Sequence, residues 1–184
     1  MLQELDTAIY NRLQGITLLD EDDVAQTVPI IIKAPETEFK DVELPAVSVA
    51  LIDIRYAPER QDWIHQEEID IVGGVAYKKD MPIPYDILFQ ISTYTEYLED
   101  DRSIQAQLLK KLPPRTYLEV DVLGATPLSQ SYYMFLQGYG EGDIIGDKRI
   151  YRKIFTYLVP VELDFDMMQE VKLVQEALIT GEQL

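Results

Sequence analysis

The stretch PYDILFQISTYTEYLEDDRSIQAQLLKKLPP, residues 84–114, constrains the fold more than any other part of the chain, because its apolar period changes halfway along. On an extended backbone Tyr85, Ile87, Phe89, Ile91 and Thr93 share one face, and Asp86, Leu88, Gln90, Ser92 and Tyr94 share the other. A period of two, rich in β-branched and aromatic residues, predicts a sheet strand. From Arg102 the period lengthens, so that Ile104, Leu108 and Leu112 stack at helical spacing until Pro113 and Pro114 end the run. A strand followed at once by an amphipathic helix implies a helix laid over a sheet.

Glu99, Asp100 and Asp101 stand at the changeover. Converging carboxylates could hold Mg²⁺ or Ca²⁺, but consecutive side chains diverge on either backbone geometry. An Asp just ahead of a helix instead accepts hydrogen bonds from unpaired N–H groups and meets the positive end of the helix dipole. Asp100 or Asp101 is therefore expected to cap the helix, with no metal bound.

The same reading extends to both sides. Leu2, Leu5, Ile9 and Leu13 form the stripe of an N-terminal helix that Gly15 stops. The opening residues lack the basic region of an export signal, so none is expected. After the acidic loop LDEDD, VPIIIK reads as a strand in which Pro29 marks either a sheet edge or the strand start, and KAPETEFKDVELP as loop. AVSVALIDIRY, residues 46–56, is apolar on both faces and is expected to be buried on both. WIHQEEID and GVAYKK form a hairpin about Gly73 and Gly74 that projects from the core. Three further strands follow at 116–122, 131–139 and 149–163, the last two joined by the glycine-rich loop GEGDIIGDK. Met167, Val171, Val174 and Leu178 predict a C-terminal helix with Asp166 as its cap.

Most strands are joined by short turns rather than helical crossovers. The expected class is α+β: a single domain whose mostly antiparallel β-sheet packs helices on one face, with a projecting β-hairpin and a C-terminal helix. The boundaries expected are 1–165 for the domain and 166–184 for the helical extension. A chain of 184 residues buries roughly 70% of its extended surface in one such core.

Charge and residue counts remove several functions. Thirty-three acids against sixteen bases give a net charge of −17, so nucleic acid and anionic membrane are repelled by most of the surface. With no cysteine and one histidine, thiolate metal sites, disulfides and most imidazole chemistry are excluded. Asp20, Glu21, Asp22 and Asp23 lack the glycine and glutamate of an EF-hand loop. The acid-x-Lys pairs at Glu38 and Glu170 fall on a loop and a helix rather than one strand face, which disfavours nuclease chemistry. His65 and Glu67 share a strand face, yet no nucleophile accompanies them. Gly138, Gly140 and Gly142 lead into a strand rather than the helix N-terminus that phosphate cradling needs. No catalytic residue, metal or cofactor is expected.

Aromatic residues crowd the strands, and Lys148, Arg149, Arg152 and Lys153 form the densest basic patch of an acidic chain. Such a patch invites an acidic face on a neighbouring copy.

The order of elements, and above all PIPYDILFQISTYTEYLEDDRSIQAQLLKKLPPR, resembles the tail-terminator (tail-completion) proteins of tailed bacteriophages over residues 1–165. That resemblance implies a non-enzymatic virion protein, assembled in the host cytoplasm, that forms a homo-oligomeric ring, commonly a hexamer. The ring would cap the tail tube and join it to the neck or connector, with tube, neck and sheath proteins as candidate partners and no membrane. DNA would pass through an acidic lumen without specific binding. Candidate subunit contacts are Arg149, Arg152 and Lys153. Candidate tube or neck contacts are Trp63, His65, Tyr77, Asp143 and Asp147, in the hairpin 60–80 and the loop 140–148. The competing readings are another neck or sheath-associated structural protein, or a metal-dependent hydrolase using Asp100, Asp101 or Glu38.

Overall fold

Residues 84–114 fold as their periods require: the strand Ile83–Thr95 runs into the helix Leu98–Lys111. The computed structural model describes residues 2–20, 23–32, 43–61, 66–70, 75–79, 82–122, 128–145, 149–163 and 168–172. In chain order these are α1 (Leu2–Leu13), β1 (Thr17–Leu19), β2 (Ala25–Thr27), β3 (Ile30–Ile32), β4 (Ala46–Tyr56), β5 (Gln66–Asp70), β6 (Val75–Lys79), β7 (Ile83–Thr95), α2 (Leu98–Lys111), β8 (Arg115–Val122), β9 (Leu128–Glu141), β10 (Ile144–Ile145), β11 (Arg149–Leu163) and β12 (Met168–Lys172). The class is α+β, and the chain groups into two compact units.

The first unit comprises Met1–Arg55 and Asp86–Val161. Its seven-stranded sheet has the order β3-β4-β7-β11-β9-β8, with β10 also paired to β11. Pairs β8 with β9 and β9 with β11 are antiparallel, whereas the edge strand β3 runs parallel to β4. Pro29 does lead that edge strand, and its carbonyl accepts the Val47 N–H at 3.0 Å. In β4 all residues from Ala46 to Ala50 are buried, as expected of a strand apolar on both faces.

Helix α1 buries Leu5, Ile9 and Leu13 completely, each contributing about 1.5–3 kcal/mol of apolar burial. Gly15 ends it at a φ of 77°, a conformation that glycine adopts without a Cβ clash. α1 packs against α2 and against both β3 and β8, the two ends of the sheet path. Laid flat, those edges would lie roughly 24 Å apart, beyond the ~18 Å length of a helix of this size. The sheet therefore curls about α1. Ile104, Leu108 and Leu112 of the α2 segment and Ile87, Phe89 and Ile91 of β7 are all at most 1% exposed.

The second unit comprises Tyr56–Tyr85 and Glu162–Leu184. Here β5 and β6 form the expected hairpin, pairing Gln66 with Lys79 through Asp70 with Val75. A 3-10 turn at Pro58–Arg60 precedes it, and the Ala57 N–H donates to the Pro84 carbonyl at 3.0 Å.

Three expectations are corrected. Where a C-terminal helix was expected, Met168–Lys172 is a strand antiparallel to β6, which makes β6 the centre of a three-stranded sheet. Five residues are too few for an apolar stripe to exclude a strand, and the pairing with β6 shows which geometry they take. Residues 173–184 lie outside the described residues. The loop 140–148 is shorter than expected, because Ile144 and Ile145 continue the register that pairs Glu141 with Lys153. Short strands precede and follow the acidic segment: β1 and β2 pair antiparallel, which periodicity could not reveal in three residues each.

Candidate functional site

Side chains in β11 alternate between core and surface, with Lys153, Phe155, Tyr157, Val159 and Val161 all buried. A lysine on the apolar period of a strand requires an internal counter-ion, since a buried unpaired charge is strongly unfavourable. Lys153 Nζ lies 3.1 Å from Glu141 Oε1, 3.6 Å from Asp143 Oδ1 and 4.0 Å from Asp101 Oδ2. Strand register supplies Glu141, which is directly opposite Lys153. The strand-to-helix changeover supplies Asp101, whose residue is 1% exposed.

Asp101 is held on every side. Gln105, one turn later, donates to Oδ2 at 2.7 Å, and the Thr93 hydroxyl of β7 reaches Oδ1 at 3.5 Å. Burial pushes its carboxyl above the ordinary range against the pull of Lys153 and Gln105, with Asp143 adding to the rise. Burial pulls Lys153 down, but Glu141, Asp143 and Asp101 together outweigh it and leave the ammonium above its usual value. Tyr139 closes the cluster, its hydroxyl within 3.5 Å of Gln105 Oε1 and 3.4 Å of Glu141 Oε1.

Asp143 links this interior to the surface. Its Oδ2 accepts from Arg149 at 2.7 Å and its Oδ1 accepts the Arg152 N–H at 3.3 Å. The carboxylate thus replaces a main-chain partner in the two-residue gap between β9 and β10. The Arg149 hydrogen bond is the main reason its pKa lies below the usual carboxylate range, against a smaller rise from burial. Gly142 belongs to the same gap: its N–H donates to the Arg152 carbonyl at 3.0 Å, and a Cβ there would come within 3.3 Å of Ile154.

The three proposed basic contacts separate. Lys153 is an internal ion-pair partner, with a side chain 8% exposed, and cannot reach a neighbouring molecule. Arg149 is 58% exposed despite its bond to Asp143. Arg152 lies with its guanidinium 5.4 Å from the Tyr94 ring centroid, and its Nε is buried without a hydrogen-bond partner. Trp63, His65 and Asp147 lie outside the described residues, and Tyr77 is placed only by its register opposite Glu68 and Glu170.

The capping expectation is also corrected. The helix begins at Leu98 after Tyr97 and has no side-chain cap, so Asp100 and Asp101 stand inside its first turn. There they still favour the positive end of the dipole, but Asp101 points to Lys153. Among the described residues, no group of three or more His, Asp or Glu side chains could hold a metal ion. Sequence reasoning missed Asp101 with Lys153 as a pair, together with Glu141, Thr93 and Gln105. The available signal was the position of Lys153 on the inward period of β11.

Each carboxylate of the cluster is engaged by a cation or a hydrogen-bond donor. A family model described as T4-like virus Myoviridae tail sheath stabiliser matches residues 16–175. No curated protein sequence matches the chain. Among solved structures, the sheath/tube terminator of an extracellular contractile injection system (PVC), determined by cryo-EM in the extended state, is similar with a TM-score of 0.51 and 16% identity. The match covers 100% of this chain and 64% of that one. At that identity the likeness is one of fold.

Proposed function

The chain belongs to the T4-like Myoviridae tail sheath stabiliser family, a family of structural tail proteins and not of enzymes, and from that premise we propose that it ends the tail as a closed ring. The observation that carries the reading is the family match across residues 16–175. In this proposal the ring, commonly a hexamer, occupies the end that the next tube subunit would use. It meets the tube and sheath below and the neck or connector above. A net charge of −17 supports a lumen that repels phosphate, so that DNA slides through without sticking.

Subunit contacts in this proposal run through Arg149 and Arg152 to acidic residues of the next copy, since Lys153 is committed internally. The hairpin β5-β6, with Trp63, His65 and Tyr77, and the segment about Asp143 and Asp147 face the tube or neck. Particle reconstruction locates the protein directly. A ring at the end of the tube is expected, and a position elsewhere in the particle would overturn the proposal. If Arg149→Glu with Arg152→Glu leaves both folding and ring assembly intact, the charge contact must be abandoned while the ring itself stands.

A further inference from the structure

The small hairpin β1-β2 has two outer edges, and the fold treats them differently. Asp20 N–H donates to the Val24 carbonyl at 3.0 Å and Val28 N–H to the Ile16 carbonyl at 2.8 Å. Between these bonds the register pairs Thr17 with Thr27, Leu18 with Gln26 and Leu19 with Ala25. Antiparallel alternation then leaves the main-chain groups of Thr17 and Leu19 aimed out of one edge and those of Ala25 and Thr27 out of the other.

The β1 edge is covered by a single amide from α2. Gln107 Oε1 accepts the Thr17 N–H at 3.1 Å, and its Nε2 donates to the Thr17 carbonyl at 2.6 Å. This is the bond pattern that a further strand would make. Along β2 all three residues are exposed, and among the described residues none pairs with its outer edge. An open strand edge of this kind is a template for a further chain.

Two adjoining hollows of about 310 and 590 Å³ share Leu19, Asp20 and Asp100, the second lying between the end of β1 and the start of α2. Gln26 and Thr27 of β2 line the first. Apolar area is available there, because Leu19, Tyr97 and Leu98 are 64%, 67% and 42% exposed. Among the described residues the charged lining consists of Asp20, Glu43, Glu99 and Asp100, with no lysine or arginine. Burial, and then the Glu99 charge, push the Asp100 carboxyl above its ordinary value.

We propose that the open edge of β2 and the acid-lined groove beside it dock an extended segment of a partner protein, alternating cationic and apolar side chains, which adds a strand to β2. Main-chain bonds to Ala25 and Thr27 give the segment its direction. Its cations meet the acidic lining, and its apolar side chains cover Leu19 and Tyr97. A second copy is disfavoured because it would bring a charge of −17 to an acidic groove.

The test uses the full chain with a capped peptide alternating Lys and Val, and a second alternating Glu and Val, at physiological salt. The Lys peptide should bind and slow amide hydrogen exchange at Ala25 and Thr27, and the Glu peptide should not bind. Ala25→Pro removes an outward N–H without touching a β1-β2 bond, and Asp100→Lys reverses the lining charge. Each should weaken binding by about tenfold. Equal binding of both peptides, unchanged exchange at Ala25 and Thr27, or full affinity in a folded Ala25→Pro variant would each overturn the proposal. So would a homodimer that protects those amides, since that would install a second copy as the occupant.

Discussion

Replacing Lys153 with methionine removes the cation that faces Glu141, Asp143 and Asp101 at 3.1, 3.6 and 4.0 Å. Glu141 is 64% exposed, so its loss counts for less than about 1 kcal/mol. Asp101 is 1% exposed, and a charge pair at that separation is worth about 4 kcal/mol at an effective dielectric of ~20. Methionine recovers part of this because it needs no hydration, but Asp101 stays buried without a cation. The net loss is therefore expected to be about 3 kcal/mol at neutral pH, which lowers the melting temperature by roughly 6–12 °C for a chain of this size. Urea unfolding of Lys153→Met, Asp101→Asn and the double variant measures it. The Asp101 carboxyl, already raised by burial, rises further once Lys153 is gone. A carboxyl whose folded pKa lies above its unfolded one binds its proton more tightly in the folded state. The deficit of Lys153→Met should accordingly shrink as the pH falls, and the double variant should lose only about 1 kcal/mol. A Lys153→Met protein within about 0.5 kcal/mol of the parent at neutral pH, or a deficit indifferent to pH, would refute the reasoning.

Three other outcomes are expected. Tyr157 donates to the Leu112 carbonyl at 2.6 Å from a fully buried site, so Tyr157→Phe should lose about 1–2 kcal/mol by urea unfolding. Burial pushes its phenol from 10.0 up to about 12, so an ultraviolet titration should show one tyrosine that ionises late, with stability falling as pH rises through that window. Asp143 has a lowered pKa from the Arg149 bond, so its contribution is present above 3.8, the ordinary value, and is lost as pH falls through the folded value. Asp143→Asn should flatten that acid-side fall in thermal unfolding. Gln107→Leu takes both partners from the Thr17 main chain, and should cost about 1 kcal/mol and speed amide exchange at Thr17.

Much of the architecture was legible where an apolar period persisted. Strand β11 was expected at 149–163 and lies at Arg149–Leu163, because fifteen residues of alternation leave little room for another reading. Likewise α1 buries Leu5, Ile9 and Leu13 of its expected stripe. Short elements were not legible: β1 and β2 have three residues each, too few to display a period. The segment Met168–Lys172 was misread because its pattern fits two geometries, and only pairing with β6 distinguishes them. The acids at the strand-helix changeover were expected to cap the helix, and that role failed. Helix α2 begins at Leu98, ahead of the acids, and a boundary set by one residue's backbone angles leaves no mark in an apolar period.

Within the basic patch, composition showed that Arg149, Arg152 and Lys153 are close in sequence and nothing about their different fates. Opposite pleats of one strand send Lys153 to Asp101 beneath α2 and Arg152 to the Tyr94 ring. By itself the sequence determined the class of each long element, the acidic surface and the family kinship, since periodicity, net charge and segment order are properties of the chain before it folds. Only the tertiary structure decided which carboxylates hold Lys153, that Gln107 covers β1, and that no described strand pairs with the outer edge of β2. Those outcomes depend on residues brought together from distant segments, where distance and burial rather than residue type set the interaction.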